Sequence, residues 1–161
     1  MIKLVLHTVI LALTITQAYS QSFDYLPTST TNQVIKHTYF ALSYSGAHKQ
    51  AEWVAYELTK EEVYGTVSRT DDFRPDPLVK MGSAQLSDYK YSGYDRGHLA
   101  PAGDMKMSHT SMSESFFLSN MSPQTASFNR GIWVQLEKQV RTWAVENGGI
   151  YVVTGGIFKS L

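Results

Sequence analysis

Hydrophobic and polar positions divide this chain into stretches of different character. Residues 4–15 are almost wholly apolar, follow a lone Lys3, and give way to small and polar residues up to Ser20. That order predicts a secretory signal peptide over 1–20, cut after the small residues Ala18 and Ser20, and the apolar run is too short for a comfortable membrane span. Residues 21–33 are polar, rich in Ser and Thr, and broken by Pro27. They predict a linker, not a packed element. From Val34 the composition turns β-branched and aromatic: residues 34–45 and 51–59 alternate in part and are joined by a Gly-containing connection at 46–50, which predicts a β-hairpin.

Between residues 60 and 97 neither the helical nor the strand period is sustained, and Pro75 and Pro77 forbid regular structure around 73–79. A long irregular segment follows, of a kind that often carries function in a compact domain. Ser111 and Glu114 have capping-box spacing and, followed by Phe116, Phe117 and Leu118, predict a short helix there. Extended or loop structure is expected before Pro123. After Asn129 comes the clearest helix, with Ile132, Leu136, Val140 and Trp143 in one apolar stripe and "ENGG" as its end. Residues 150–158 read as a buried strand. Strands, irregular segment, helix and strand in that order predict one α+β domain over 34–161.

Composition narrows the chemistry. The 161 residues carry 14 Lys and Arg against 14 Asp and Glu, so any surface that attracts phosphate must be local. There is no cysteine, which excludes disulfides, thiolate metal sites and a cysteine nucleophile together. With no second apolar stretch, the expectation after signal removal is a secreted or periplasmic protein with no membrane attachment.

The sharpest local feature is "DRGH" at 95–98. By itself it permits a turn with an ion pair as readily as a catalytic His98. Asn129, at the predicted helix start, and Glu137, eight residues on, widen the picture. On a straight helix they are separated by about 12 Å of rise and about 80° of rotation. They cannot easily share one inner coordination shell, but Glu137 can lean back toward Asn129 and reach its site through water or through an arginine. Such a pair suits a hard divalent cation such as Mg²⁺, with Mn²⁺ as a substitute, and not zinc. Asn129 as a plain helix cap and Glu137 as a solvated residue are the bland alternatives. Taken together, the parts describe phosphodiester hydrolysis: His98 as general base, a cation at Asn129, and Arg96 and Arg69 around the phosphoryl group. Tyr89, Tyr91 and Tyr94 either stack on bases or line a loop, and the loop is the preferred reading.

These residues carry a resemblance. "DRGH" at 95–98, "FFLSNMSPQ" at 116–124, "FNRGIWVQLE" at 128–137 and "YVVTGGIF" at 151–158 occur in the order found in the DNA/RNA non-specific endonuclease family, the ββα-metal or His-Me finger nucleases. The resemblance implies a mainly antiparallel sheet around a ββα-metal core. It also implies His98 as general base, Asn129 as direct metal ligand, Glu137 near the metal's water shell, Arg96 and Arg69 as phosphate-binding arginines, and Asn120 as an active-site residue that orients the imidazole or metal waters. Arg74 is the competitor for the role given to Arg69. DNA and RNA are the substrates it implies. Family members continue beyond the "TGG" strand, so the chain is expected to be truncated at its C-terminus, with an inactive nucleic-acid-binding remnant as the alternative to an active nuclease. A phosphodiesterase for small or lipid phosphates is the third possibility.

Overall fold

The fold is that of a computed structural model that describes residues 24–158. The predicted signal peptide lies outside the described residues, as do 21–23 of the linker and 159–161 at the end. Four antiparallel strands form the main sheet: β1 (Val34–Lys36), β2 (Ala41–Ser45), β3 (Gln50–Thr59) and β6 (Gly149–Thr154), in the order β1-β2-β3-β6. The predicted hairpin is β2–β3, and β1 is a separate strand turned back at His37, whose N–H donates to the Phe40 carbonyl at 2.8 Å. β3 is buried on both faces, which explains why its apolar run alternates only weakly.

One face of the sheet packs the main core, with Leu42, Tyr44, Val54, Tyr56 and Leu58 against Leu99, Met105 and Ala144. The other face is closed by the segment read as a linker. Residues 24–33 lack regular structure, as their composition predicts, but Tyr25 and Leu26 pack on Ala41, Trp53 and Ala55. Trp53 Nε1 donates to the Thr28 carbonyl at 3.0 Å, and Glu52 accepts from Ser43 and the backbone of Thr30. Two apolar side chains in an otherwise polar stretch are enough to hold it down.

The irregular segment contains two single-turn helices, α1 (Lys60–Val63) and α2 (Leu86–Tyr89), and is otherwise aperiodic up to β4 (Asp95–His98). β4 pairs with β5 (Met121–Gln124) in a second, two-stranded sheet. Between them lies α3 (His109–Glu114). Its cap is Ser108, which accepts from Ser111 N at 3.0 Å, so Ser111 closes the capping box and does not open it. The helix therefore ends before Phe116, leaving Phe116, Phe117 and Leu118 free to enter the core.

The long helix also differs from expectation. It begins with α4 (Ala126–Phe128), capped by Thr125, passes through a widened turn at Asn129–Trp133, and continues as α5 (Val134–Asn147). Gly131 has φ −104° and ψ −110°, a kink that invalidates a straight-helix projection from Asn129 to Glu137. The inward side of α5 carries Glu137, Val140, Arg141 and Ala144, while Ile132, Leu136 and Trp143 of the predicted stripe are exposed. Hydrophobicity misplaces the face because Arg141 turns inward to meet the buried Asp104. Gly148, at φ +78°, ends α5 in the left-handed conformation that glycine adopts without penalty. Finally, β6 is an edge strand, not a buried one: it pairs with β3, and Tyr151 and Val153 face outward.

Candidate active site

The β4–β5 ribbon fixes the positions of "DRGH". His98 lies opposite Met121, Gly97 opposite Ser122, Arg96 opposite Pro123 and Asp95 opposite Gln124. Strand alternation then sets Arg96 and His98 on one face, and Asp95 and Gly97 on the other. The Gln124 side chain covers Gly97: a Cβ there would lie 2.2 Å from Gln124 Cδ, so a larger residue would have to displace that side chain. The four residues are thus a strand and not a turn.

His98 is 8 % exposed. Its ring meets Phe116 edge-on at 5.0 Å and Phe73 at 5.9 Å. The same two phenylalanines carry the arginines: Arg69 stands over Phe116 at 4.7 Å and Arg96 over Phe73 at 3.9 Å. One imidazole and two guanidinium groups are therefore held by a shared aromatic frame. The imidazole Nε2 is buried with no hydrogen-bond partner among the described residues. Burial, and then the charges of Arg69 and Arg96 against an opposing Asp71, push the His98 pKa down to about 3. At neutral pH the ring is uncharged, and a neutral imidazole has one donor and one acceptor nitrogen.

Beside it opens a cleft of about 730 Å³ whose walls include Arg69, Lys90, Arg96 and Arg130 against Asp71 and Asp95. This is the local basic surface that the balanced overall charge left open. Arg69 pairs with Asp71 at 2.6 Å near the surface. Arg74 is committed elsewhere: its Nη1 donates to Asp72 and to the Ser113 carbonyl, and its Nη2 to Ser113 Oγ. The structure thereby separates the two candidate arginines and puts Arg69 in the cleft. Tyr89 donates its hydroxyl to the Met121 carbonyl at 3.1 Å and so supports the loop, while Tyr94 lines the cleft mouth half exposed.

Asn129 also lines the cleft. It is not the helix cap, because Thr125 accepts the Phe128 N–H. Its Nδ2 donates to Asp95 Oδ2 at 3.0 Å, and Arg130 grips the same carboxylate with Nε at 2.8 Å and Nη2 at 2.7 Å. Arg130, then Asn129, hold the Asp95 carboxyl below the usual range. Among the described residues no three His, Cys, Asp or Glu side chains converge as a metal site. A neutral amide oxygen with room for waters around it does fit a strongly hydrated divalent cation.

The remaining two candidates stand apart from the cleft. Glu137 is half buried with Tyr56, Leu99 and Pro101. Burial, then the charge of Asp104, raise its carboxyl to about 7 against the opposing pull of Arg141 and Arg69. Asp104 itself is fixed by Tyr56 at 2.8 Å and Arg141 at 2.6 Å. Asn120 is fully buried and spends its side chain on backbone: Oδ1 accepts from Ala100 N, and Nδ2 donates to the carbonyls of Ala100 and Ser115. It clamps the chain just beyond His98 and makes no hydrogen bond to the imidazole. Phe73, Phe116, Asp95 and Arg130 were not singled out by sequence. Nothing in a Phe-Phe pair announces a frame for charged groups, although the adjacency of Asn129 and Arg130 opposite an acidic strand residue is a usable signal.

Comparison with known proteins accords with this geometry. Residues 22–160 match the family model described as DNA/RNA non-specific endonuclease. The chain is 40% identical over 125 residues to the mitochondrial nuclease EXOG of Danio rerio, covering 76% of this chain and 36% of that one. It is 35% identical over 155 residues to the mitochondrial endonuclease G of Caenorhabditis elegans, covering 86% and 50%. A crystal structure of an EndoG/EndoGI complex superposes with a TM-score of 0.72 at 37% identity, covering 76% of this chain and 52% of that chain. The chain spans about a third to a half of the length of these curated relatives. The α+β fold with its antiparallel sheet is the one the sequence predicts, and the chain belongs to the DNA/RNA non-specific endonuclease family.

Proposed function

We propose that this chain is a metal-dependent endonuclease that hydrolyses phosphodiester bonds of DNA and RNA without sequence preference. The observation that carries this reading is the buried, unpartnered Nε2 of His98, framed with Arg69 and Arg96 beside a basic cleft. Arg69 and Arg96 bind the phosphoryl oxygens. His98 Nε2 takes a proton from water as the water oxygen bonds to phosphorus and the bond to the leaving sugar oxygen breaks. Burial and then the charges of Arg69 and Arg96 depress the imidazole, and docked phosphate offsets the arginine part of that depression. Asn129 Oδ1 would hold a divalent cation, most simply Mg²⁺ with Mn²⁺ able to replace it, and the cation would supply positive charge for the leaving oxygen. Glu137 acts at longer range through water, and Asn120 holds the strand that carries His98. Contacts to phosphate carry no base information, which accounts for a lack of sequence preference. The lone Lys3 followed by an apolar stretch supports export through a signal peptide to the periplasm or the exterior.

The test is incubation of the purified chain with supercoiled plasmid and with total RNA, in Mg²⁺ or in EDTA. Cutting of both polymers in Mg²⁺, stopped by EDTA and reduced about 10²- to 10⁴-fold in His98→Ala, is the expected result. Retention of polymer without cutting would favour a binding remnant, and undiminished cutting by His98→Ala would overturn the role of the histidine.

A further inference from the structure

The Asp95 carboxylate receives Asn129 Nδ2 at 3.0 Å and both forks of Arg130, at 2.8 and 2.7 Å. It sits on β4, three residues before His98, and links that strand to the kinked turn that carries Asn129, as does Trp133, whose Nε1 donates to the His98 carbonyl at 3.1 Å. An ionised carboxylate can only accept hydrogen bonds, and an amide has one donor end and one acceptor end. A carboxylate therefore admits only the donor end of Asn129. The acceptor end, Oδ1, is left without a hydrogen bond among the described residues. Asn129 itself keeps helical backbone, with φ −58°, ψ −48° and its N–H on the Thr125 carbonyl at 2.9 Å, and the kink follows at Gly131.

We infer that Asp95 is a positioning residue: its charge selects the one amide orientation of Asn129 that presents oxygen, and not nitrogen, to a divalent cation. This rests on the proposed cation site at Asn129. Arg130 holds the carboxylate in place and is secondary to the orientation itself. The inference separates charge from shape. Asp95→Asn keeps the size of the side chain but supplies a donor as well as an acceptor, so Asn129 can turn either way. Asp95→Glu lengthens the side chain yet still accepts only.

The experiment is isothermal titration of Mn²⁺ alone into the purified chain and its variants, without nucleic acid, with the folded state of each checked by thermal unfolding. Loss of an outer-shell partner typically weakens metal binding about 10- to 100-fold. We expect a loss in that range for Asp95→Asn, a clearly smaller loss for Asp95→Glu, and no weakening for Arg130→Ala. Equal weakening by Asp95→Asn and Arg130→Ala would show that the ion pair matters and the amide orientation does not. Unchanged Mn²⁺ binding in Asp95→Asn would overturn the inference while leaving the cation site standing. Absence of Mn²⁺ binding by the unsubstituted chain would remove the site and the inference together. Should Asp95→Asn not fold, a loss of Mn²⁺ binding in Asp95→Glu as severe as in Asn129→Ala would refute the distinction between charge and shape.

Discussion

Phe116 and Phe117 are neighbours in the chain and open onto two histidines with opposite fates. Phe117 packs His37 at 5.1 Å and carries Arg74 at 4.2 Å; Phe116 packs His98 at 5.0 Å and carries Arg69 at 4.7 Å. Both histidines are buried. His37 Nε2 meets Asp76 at 2.9 Å, and Asp76 also takes the Ser119 hydroxyl at 2.6 Å and the Leu78 N–H at 2.9 Å. Burial pushes the Asp76 carboxyl up, but the hydrogen bond and charge of His37 outweigh it and bring the group below its ordinary value. His98 Nε2 has no such partner, and the charges that act on the ring are Arg69 and Arg96 with Asp71 opposing them. A buried histidine that only holds a fold has its polar atoms satisfied; one left unsatisfied at a cleft is available for chemistry.

The contrast is most open to attack through activity. His98→Ala should lower plasmid cleavage by about 10²- to 10⁴-fold while the chain remains folded. His37→Ala should do the reverse: remove one hydrogen bond from the buried Asp76 carboxylate, cost about 1–3 kcal/mol of stability in urea unfolding, and leave cleavage per folded molecule near normal. Equal loss of activity from both would erase the distinction between the two sites.

A finer test uses pH. Between about 6.5 and the His98 value of about 3, the unfolded chain binds a proton at this residue that the folded chain excludes, so its contribution to stability falls as pH falls. Glu137 runs the other way. With its folded value at about 7 against about 4.3 in the unfolded chain, it holds a proton that the unfolded chain has released, and its contribution is lost as pH rises. From about pH 4.5 to 6.5 the two slopes oppose one another. Glu137→Gln should therefore become more stable with rising pH in that window, and His98→Asn less stable, each by at most about 1.4 kcal/mol per pH unit. Parallel midpoint curves for the two variants would contradict both environments.

The smallest expected effect separates the arginines. Arg74→Lys loses a fork that holds Asp72 and Ser113, and should cost about 1 kcal/mol in thermal unfolding with little change in turnover. Arg69→Lys, half exposed in the cleft, should change stability by less than about 0.5 kcal/mol and show its effect in the kinetics on DNA. An Arg69→Lys chain with unaltered kinetics would take that residue out of phosphate binding.

Much of the site was legible because its chemistry is local in sequence. "DRGH" and Asn129 stand out as candidates from residue type and spacing, but that the motif is a strand with Arg96 and His98 on one face, and that Asn129 lies inside the helix and not at its cap, appear only in the structure. The preference for Arg69 over its competitor Arg74 could not come from spacing, because both lie in an aperiodic segment where spacing does not determine direction; the structure puts Arg69 in the cleft. Asn120 looked like an active-site group and is a backbone clamp; a buried amide in a short polar motif reads the same either way until its partners are known. The inner face of the long helix was misplaced for a related reason: Arg141 turns inward to Asp104, so hydrophobicity alone points to the wrong side.

By itself the sequence determined the α+β order of elements, the β2–β3 hairpin, the absence of thiol chemistry, and the family to which the chain belongs. These depend on periodicity, turn residues and contiguous motifs, which short-range geometry dictates. Only the tertiary structure decided that two adjacent phenylalanines pack against two buried histidines, one paired with Asp76 and one with Nε2 unpartnered, and that Asp95 of the ribbon meets Asn129 of the kinked turn. Those relations join residues far apart in the chain. Their strength depends on burial and on which polar atoms find partners, and neither can be read from one residue and its neighbours.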